Sequence, residues 1–425
     1  MKYQELRNYI IEGKADEAIA NVICSNDVEE EKKRYLKLLD DAVELYGDGE
    51  YRFISSPGRS EIGGNHTDHQ HGHVVAAGLN IDNLCVAKRN GDMIVNYKDP
   101  KFNLDPVDLN DLSAHEDEIN SGRSLIRGIA GLCKERGCEI GGFDCLCDSR
   151  VLTGSGISSS ACFEVMLAQV INVLYNDEKI DKVTKAIVGQ KAENIYYGKP
   201  SGLLDQMAIS CGGFTTIDFK DPSDPVIESL EFSFNDYGYE LVLVNTKGDH
   251  SDLSHEYAAV PSEMKEVAHC LNVEYLADSS KEEFMKNLKT IRETVKNDRG
   301  ILRAFHFFNE DARAIEEREA IKAKDIDSLL KLIRESGRSS YEYLQNVYPA
   351  SRPSSQSLAI GLAMADDFLK DDGAYRVHGG GFEGTIQAIV PVARLDEFKD
   401  MMKTVFGDDC ILSVKVRNVG TCTVI

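Results

Sequence analysis

The sequence lacks several features that would assign it to common classes of protein. Basic residues are scarce, since 48 Lys and Arg face 71 Asp and Glu, which gives a formal charge of −23. A chain this acidic is repelled by the phosphates of nucleic acid and by anionic membrane surfaces, so we expect neither as a partner. There is no uninterrupted apolar run of membrane-spanning length, and the first residues are polar and helix-prone rather than an apolar leader. We therefore expect a cytoplasmic protein that handles small molecules.

Cysteine is present but lacks the regular spacing of a disulfide framework. Several of the 11 cysteines fall in apolar, strand-like runs, as do Cys145 and Cys147, and we expect reduced core thiols. Tryptophan is absent, so any aromatic contact with a ligand must come from Tyr or Phe. Internal repeats and low-complexity tracts are not apparent either. At 425 residues the chain has room for two or three domains of roughly 150 residues each.

A Gly- and Ser-rich stretch from Thr153 to Ala161 runs directly into a helix that is apolar almost all round. Backbone N–H groups and the positive end of the helix dipole converge at such a point and favour a phosphate. Ser158, Ser159 and Ser160 can add hydrogen bonds or reach a phosphate-bound Mg²⁺. Because the stretch lacks the Gly-Lys-Ser/Thr ending of a Walker A loop, the positive charge must come from elsewhere. The alternative is a surface turn with a serine cap, but the buried helix behind it favours a rigid binding loop.

A second stretch, over residues 57–73, is predicted to be a loop after a strand and is dense in polar groups. Asp68 could accept hydrogen bonds from sugar hydroxyls, and Arg59 could neutralise a phosphoryl group or lower the pKa of a neighbouring acid. Two alternatives remain. The stretch could be a polar cover over the core, or its histidines could ligate a metal, although their spacing is not the H-E-x-x-H of a zinc helix. Those histidines are His66, His69, His71 and His73.

Two acids and a glycine-rich turn complete the candidate site. Glu193 lies on a helix that stops at Gly198, and Asp205 follows shortly after it. Phosphoryl transfer to a hydroxyl needs a carboxylate near the nucleophile and a ligand for Mg²⁺, and these two acids could divide the tasks. Either acid could instead be a helix cap or a surface carboxylate. The turn over 377–384 precedes a strand, and such a turn often serves only close packing.

The pattern of apolar residues predicts an α+β protein in two parts, 1–212 and 213–425, with a weak boundary near Gly212 and Gly213. Residues 84–89 and 93–97, joined around an Asn-Gly pair, give the strongest hairpin signal in the chain. The predicted helices are 29–46, 157–176, 182–197, 253–270, 281–296, 300–347, 356–370 and 394–407. The other predicted strands are 51–55, 143–152, 213–218, 239–245, 384–391 and 410–416.

Taken in order, these elements resemble the signatures of the GHMP small-molecule kinases and, within them, of the galactokinase family. The resemblance covers roughly residues 50–425 in the correct order and spacing. The segments that carry it are Gly58-Arg59 with Gly64 and His66-Thr67-Asp68; Gly154 to Ala161; Glu193 with Leu204-Asp205-Gln206; Asn245 to Tyr257; and Gly379 to Gly384.

The resemblance implies a two-domain GHMP kinase fold, with an N-terminal domain like that of ribosomal protein S5 and a ferredoxin-like C-terminal domain. It implies a sugar 1-kinase that uses ATP and Mg²⁺ to phosphorylate the anomeric hydroxyl of galactose. Asp205 would be the catalytic carboxylate, and Arg59 would stabilise that carboxylate and the phosphoryl charge. The implied binding residues are Asn65, His66, Asp68, Gly202 and Tyr257 for the sugar; Gly154, Ser155, Gly156, Ser158, Ser159 and Ser160 for the ATP phosphates; and Ser160 and Glu193 for Mg²⁺.

The sequence departs from the family pattern in ways that bear on the sugar. Asn65 replaces a glutamate that hydrogen-bonds the sugar near its C6 hydroxyl, and Glu61 replaces an asparagine. An amide can donate to a uronic acid that a carboxylate would repel, which makes galacturonate an alternative substrate. Glu383, in the glycine turn, would restore the lost negative charge if it reaches the sugar. Two other classes stay open, namely a non-catalytic sugar-binding regulator and a metal-dependent hydrolase that uses the histidines.

Overall fold

The structure is a computed structural model that describes residues 1–100, 102–151, 156–248 and 253–425, without the side chains of residues 102 and 103. Its helices are α1 (Tyr3–Ile11), α2 (Asp16–Ile23), α3 (Glu29–Tyr46), α4 (Gly122–Glu135), α5 (Ser159–Tyr175), α6 (Lys182–Ala192), α7 (Leu204–Cys211), α8 (Ser254–Cys270), α9 (Lys281–Val295), α10 (Asp298–Ala323), α11 (Ile326–Ser339), α12 (Ser357–Leu369) and α13 (Leu395–Phe406). Its strands are β1 (Arg52–Gly63), β2 (His73–Arg89), β3 (Ile94–Asp99), β4 (Phe102–Asn103), β5 (Val107–Asp108), β6 (Phe143–Ser149), β7 (Phe214–Asp218), β8 (Val226–Leu230), β9 (Tyr239–Asn245), β10 (Ala374–Val377), β11 (Thr385–Pro391), β12 (Ile411–Val414) and β13 (Cys422–Thr423).

The described strands form two sheets, and the fold mixes helix and sheet as predicted. The first sheet has the order β13-β1-β2-β6-β3-β4, with β7 paired to β2, β8 to β7 and β5 to β3. The second has the order β10-β11-β9-β12 and is antiparallel. The predicted division at residues 212 and 213 stays a prediction, although β7, β8 and β13, which follow it, belong to the first sheet.

Side chains that alternate along β2 bury both faces of the first sheet. Leu84 and Val86 pack against α1 to α3, while Cys85 and Ala87 pack against α4 to α6. This alternation is the period of two that a strand imposes, so each face needs its own helical cover. The first 46 residues provide one of those covers.

A shared apolar core joins the two sheets. Ile157, just before α5, and Ala161, in its first turn, pack in the same cluster as Ile62 of β1 and Leu243 of β9, together with residues of α10 and α11. The start of α5 is therefore held between the two sheets. A helix end fixed in this way can present its backbone N–H groups rigidly.

The predicted hairpin of residues 84–89 and 93–97 is wrong. Strand β6 lies between β2 and β3, pairing antiparallel with β2 and parallel with β3. Asp144 of β6 accepts hydrogen bonds from the side chains of Asn90, at 3.2 Å, and Asn96, at 2.7 Å. The Asn-Gly turn does form, with Gly91 at φ +87°, but the strands that leave it are separated by a strand from elsewhere in the chain.

Three other element boundaries differ from the predictions. The helix predicted over 300–347 is split into α10 and α11, because Lys324 adopts a left-handed conformation and Asp325 caps α11. The helix predicted over 182–197 ends at Ala192 and continues as a π-helical turn from Glu193. The stretch predicted as a loop over 57–73 is strand as far as Gly63, with a bulge next to Arg59. The remaining predicted helices and strands agree with the structure to within a few residues.

None of the helices within the described ranges combines the length and the apolar character needed to span a bilayer.

Candidate active site

The centre of the site is an ion pair between Arg59 of β1 and Asp205 of α7. The Nε atom of Arg59 lies 2.7 Å from one oxygen of Asp205, and its Nη2 atom lies 3.0 Å from the other. Arg59 is buried, whereas the side chain of Asp205 is 35% exposed, so the carboxylate is held on one side and open on the other. Burial acts to raise the pKa of Asp205, but the charge and hydrogen bonds of Arg59 outweigh it and lower the pKa. The carboxylate is therefore ionised at neutral pH.

The end of the Gly/Ser stretch contacts this ion pair directly. The hydroxyl of Ser158 donates to Asp205, and Arg59 donates to the carbonyl oxygen of Gly156. Ser158 has a φ of +61°, and this left-handed turn leads into α5 at Ser159. The predicted phosphate loop and the predicted catalytic acid thus lie side by side. Gly154 and Ser155, also predicted to bind phosphate, lie outside the described residues.

Ser159 and Ser160 are the first two residues of α5 and are partly exposed. The N–H groups of a first helical turn have no partner within the helix, and the helix dipole is positive there. An anion placed beside Ser158 would meet these N–H groups together with three hydroxyls. This arrangement is suited to a phosphate.

A cluster of polar side chains next to the ion pair, here called the polar corner, consists of Glu193, Glu164, Lys199, Ser201 and Gln206. The Glu193 carboxylate contacts the ammonium of Lys199 at 2.8 Å and accepts hydrogen bonds from Ser201, at 2.5 Å, and Gln206, at 3.2 Å. Gln206 also donates to Glu164 of α5 at 2.9 Å. Burial, followed by the nearby charge of Glu193, raises the pKa of Glu164 well above its ordinary value. Glu193, only 3% exposed, is thus the acid of this corner that has a cation, Lys199, beside it.

The side chains of this corner fit Mg²⁺. Ser160 lies one helical turn before Glu164, on the same face of α5, and Gln206 bridges Glu164 to Glu193. A hydroxyl and a carboxylate oxygen therefore lie in one corner, next to the helix end where a phosphate would bind. Hard oxygen donors beside a phosphate are the ligands that Mg²⁺ takes in proteins.

Asp68 and Gly202 lie in close contact on another side of Asp205. A Cβ atom at position 202 would lie 1.8 Å from a carboxylate oxygen of Asp68, so only glycine fits. Burial, together with the charge of Asp205, raises the pKa of Asp68 to about 6. The two predicted sugar-binding residues are therefore neighbours of Asp205, the predicted catalytic acid.

For the sugar kinase that the sequence resemblance implies, we expect Gly202→Ala to raise the KM for the sugar at least about tenfold, because the methyl group must push the Asp68 carboxylate away. The KM for ATP should change little. Gly300→Ala, in α10, is the control, because its backbone φ is not left-handed and a Cβ there would lie no closer than 3.2 Å to any neighbouring atom. Steady-state kinetics of both variants check this, and an unchanged sugar KM in Gly202→Ala would contradict it.

The glycine turn brings two more predicted residues to the ion pair. The Nε2 atom of His66 lies 3.1 Å from the carbonyl oxygen of Gly380, and burial lowers the pKa of His66 to about 4, so its ring is neutral. Tyr257 donates its hydroxyl to the carbonyl oxygen of Gly381 at 3.0 Å. A Cβ atom at position 379 would lie 3.3 Å from Nη2 of Arg59. The turn therefore packs between Arg59, His66 and Tyr257.

Asn65 does not face an open site. Its side chain is fully buried, donating to Glu61 and to the carbonyl oxygen of Gly379 at 2.8 Å each. Its amide oxygen accepts from Ser340 at 3.0 Å and from Asn346 at 2.9 Å. All four hydrogen-bonding positions are taken by protein groups. The prediction that Asn65 contacts the sugar near C6 is therefore not supported by its surroundings.

Glu383 does not replace the lost charge either. Its carboxylate is buried and accepts from the hydroxyls of Ser355, at 2.6 Å, and Ser357, at 2.8 Å. These contacts fix Glu383 against the start of α12. The side chains of Asn65 and Glu383 are thus both held by hydrogen bonds to protein groups.

The four histidines do not converge on one point. The rings of His66 and His69 are 5.6 Å apart, but His71 stacks on Tyr275 at 3.6 Å and His73 contacts Asp311 at 2.9 Å. In the part of the chain that the structure describes, one group of three or more Cys, His, Asp or Glu side chains has ligand atoms close enough for one ion. That group is Cys85, Cys145 and Cys147, which is fully buried in the first sheet. A metal centre built from the histidines, and the hydrolase that would use it, thus lack support.

The position of His73 leads to a prediction on stability. Its hydrogen bond to Asp311 raises its pKa, so the folded protein holds the proton more tightly than the unfolded chain does. This stabilisation is complete below about pH 6.5 and is lost as the pH rises through the folded-state value. His73→Gln should therefore lower the unfolding free energy more at pH 5.5 than at pH 8.5. Urea unfolding at both pH values checks this, with the exposed His269→Gln as control, and an equal loss at both would contradict it.

Lys199, Gln206 and Glu164 belong to the site but were not predicted as functional residues. Gln206 lies within a motif, directly after Asp205, and Glu164 lies one helical turn after Ser160, so both positions were available signals. Lys199 had no such signal. It contacts Glu193 because the chain reverses at Gly198, which has a φ of +86°.

Two protein-family models match the sequence. The model "GHMP kinases N terminal domain" matches residues 124–213, and the model "Galactokinase galactose-binding signature" matches residues 43–89. The first segment contains Ser158, Glu193 and Asp205, and the second contains Arg59, His66 and Asp68. The ion pair and Ser158 thus fall within matched segments, whereas Tyr257 and the glycine turn lie outside them.

Curated relatives and solved structures agree with the family models. The galactokinase of Clostridium tetani is 28% identical over 376 residues, covering 88% of this chain and 91% of the relative. That of Lactococcus lactis subsp. lactis is 28% identical over 380 residues, with coverages of 87% and 91%. The structure of Lactococcus lactis galactokinase complexed with galactose matches with a TM-score of 0.78, at 24% identity and coverages of 90% and 98%. The mevalonate kinase of Methanococcus jannaschii matches with a TM-score of 0.60, at 15% identity and coverages of 87% and 99%, which shows a shared fold.

Proposed function

We propose that this chain, a member of the GHMP kinases that carries the galactokinase signature, is a sugar 1-kinase that phosphorylates the anomeric hydroxyl of galactose with ATP. One observation carries the proposal. Asp205 accepts hydrogen bonds from both Arg59 and Ser158, and Ser158 directly precedes α5, the helix proposed to bind phosphate. The acid proposed to contact the sugar hydroxyl and the helix start proposed to bind the ATP phosphates therefore lie within hydrogen-bond distance of each other. Phosphoryl transfer consists largely of such positioning together with charge compensation.

In this mechanism the open side of Asp205 accepts a hydrogen bond from the anomeric hydroxyl and directs its oxygen at the γ-phosphorus. The new oxygen–phosphorus bond forms while the bond to the bridging oxygen of ADP breaks. The hydroxyl proton passes to Asp205 and then to solvent. Because Arg59 lowers the pKa of Asp205, the carboxylate is a weak base, and its main contributions are orientation and a hydrogen bond that strengthens late in the reaction. Arg59 also offsets the charge that spreads over the transferred group.

Phosphates are proposed to bind at the first turn of α5, through its N–H groups and through Ser158, Ser159 and Ser160. Gly154, Ser155 and Gly156 remain proposed phosphate residues on the strength of the family resemblance. Ser160 and Glu193 would hold Mg²⁺, which neutralises phosphate charge when bound. His66, Asp68, Gly202 and Tyr257 are proposed to form the sugar pocket. Asn65 is proposed to support this pocket from the protein interior, through its hydrogen bond to the carbonyl oxygen of Gly379.

Galactose is favoured over galacturonate. The case for a sugar acid depended on an amide at position 65 facing C6, and that amide is fully used by protein groups. A non-catalytic sugar-binding regulator would tolerate damage to the ion pair or the helix start, and neither is damaged. We further propose two functional halves, 1–212 and 213–425. A cytoplasmic location is also proposed, because the cysteines are free thiols.

A release assay for ADP with galactose, galacturonate, glucose and N-acetylgalactosamine tests this proposal. We expect Mg²⁺-dependent ADP release with galactose at a kcat/KM at least about tenfold above that of the other sugars, which corresponds to one lost hydrogen bond at a well-formed pocket. The phosphorylated product should carry its phosphate on the anomeric carbon by NMR. Preference for galacturonate would overturn the sugar assignment, and absence of turnover with all four would overturn the kinase proposal.

A further inference from the structure

Glu193 depends on Lys199 for its countercharge. The Glu193 carboxylate is 3% exposed, and an ionised group this buried needs a cation or several donors around it. Of the groups within hydrogen-bond distance, Ser201 and Gln206 are neutral and Lys199 is the cation, at 2.8 Å. The backbone N–H of Lys199 also donates to the carbonyl oxygen of Glu193 at 3.1 Å. The π-helical turn thus ties Lys199 to Glu193 through both main chain and side chain.

Lys199 is nevertheless able to move its charge. Its side chain is 56% exposed, and an ammonium on a four-carbon stem can swing several ångströms without any change in the backbone. Its charge also acts on Asp205, Glu164 and Tyr257. Lys199 is therefore paired with Glu193 while its charge also reaches Asp205, the acid of the central ion pair.

This inference rests on the proposed function. We propose that the Lys199 ammonium pairs with Glu193 when no nucleotide is bound, and that it leaves Glu193 when Mg²⁺ binds there and then pairs with the ATP phosphates. A divalent ion and an ammonium repel each other strongly at one carboxylate, so both cannot keep close contact with Glu193. Mg²⁺ arrives with the triphosphate, and the triphosphate provides new anionic partners for the displaced ammonium. The exchange conserves the charge balance of the corner.

This arrangement makes metal binding depend on the nucleotide. Free metal must compete with Lys199 for Glu193, and the ammonium then has no anion to move to. When the metal binds together with the nucleotide, the ammonium of Lys199 is not left without an anion, because it can form ion pairs with the phosphates. Lys199 also supplies the positive charge that a loop without the Walker A lysine needs from another part of the chain.

Titration with Mn²⁺ alone, followed by electron paramagnetic resonance, tests the competition without any turnover. We expect Lys199→Met to bind Mn²⁺ at least about tenfold more tightly than the wild type, while Lys199→Arg, which keeps the charge, stays near the wild type. In kinetics with Mg²⁺, Lys199→Met should raise the KM for ATP at least about tenfold and leave the KM for the sugar unchanged. Lys179→Met, in an exposed pair with Asp177, is the matched control and should change neither quantity.

The outcomes separate the inference from the proposed function. If Lys199 only stabilises the fold, Lys199→Met will lower the melting temperature without tightening Mn²⁺ binding, which overturns the inference. An unchanged ATP KM overturns the phosphate contact. Should Lys199→Met fail to fold, Lys199→Gln, which can still donate to Glu193, is measured in the same two assays and must give the same two shifts. If the Mn²⁺ result holds while no sugar is phosphorylated, the proposed sugar kinase fails and the countercharge exchange stands.

Discussion

Asp205→Asn is expected to lower kcat about 10³-fold while the melting temperature stays within a few degrees of the wild type. The amide cannot take the hydroxyl proton or carry the charge that Arg59 holds in place, and positioned acid–base groups contribute roughly 10² to 10⁴ in rate. The buried Arg59 loses its countercharge, but the amide oxygen can still accept one of its hydrogen bonds and Arg59 keeps its bond to Gly156, so the fold is retained. Steady-state ADP release and differential scanning calorimetry measure the two quantities.

The matched control is Asp148→Asn. Asp148 binds the buried Arg34 at 2.8 Å, so it repeats the carboxylate–guanidinium pair far from the site, and its loss should leave kcat unchanged. If Asp205→Asn keeps a kcat within tenfold of the wild type, the carboxylate does not act on the reacting hydroxyl. Since the pKa of Asp205 is lowered, this carboxyl should cause no fall in wild-type activity between pH 8 and pH 5.

Asn65→Glu is expected to lower the free energy of unfolding by about 3 to 5 kcal/mol, the range for an uncompensated buried charge. The new carboxylate would face two acceptors, the Glu61 carboxylate and the Gly379 carbonyl, where the amide now donates. The longer side chain also has no free volume, because position 65 is fully buried. Urea unfolding gives the measurement. Asn235→Glu, at an exposed position, is the control and should change stability by less than about 0.5 kcal/mol.

The same variant tests whether Asn65 has a role in sugar choice. If Asn65→Glu unfolds at the wild-type urea concentration and changes the preference between galactose and galacturonate, residue 65 faces the sugar after all. Loss of stability with an unchanged sugar preference in the surviving folded fraction would confirm its supporting position.

Residues of the site that lie inside short motifs could be predicted from the sequence. Arg59, Ser158 and Asp205 each sit in a local pattern whose glycines and helix signals fix the backbone nearby, and the structure brings all three into contact. The apolar character of α5 also predicted that its start would be held rigidly. Local chemistry was sufficient for these residues because each motif carries its own geometry.

Other features depend on contacts between distant parts of the chain. The surroundings of Asn65 come from Ser340 and Asn346, and its carbonyl oxygen is bound by His306, all more than two hundred residues away in sequence. The Asn-Gly turn after β2 could not reveal that β6 would occupy the space beside it. A one-dimensional pattern states what a segment prefers, and partners from elsewhere decide what surrounds it.

Strand β13 pairs with Ile54 and Ser55 of β1, the strand that carries Arg59. During translation the first sheet therefore cannot close on this side until residues 422 and 423 have emerged from the ribosome. Until then β1 has an open edge, to which a strand of another nascent chain can add. Pairing between such distant segments is slow to form. We expect chaperone dependence and inclusion-body formation to respond most strongly to changes in the last few residues of the sequence, although none of them touches the substrate-handling groups.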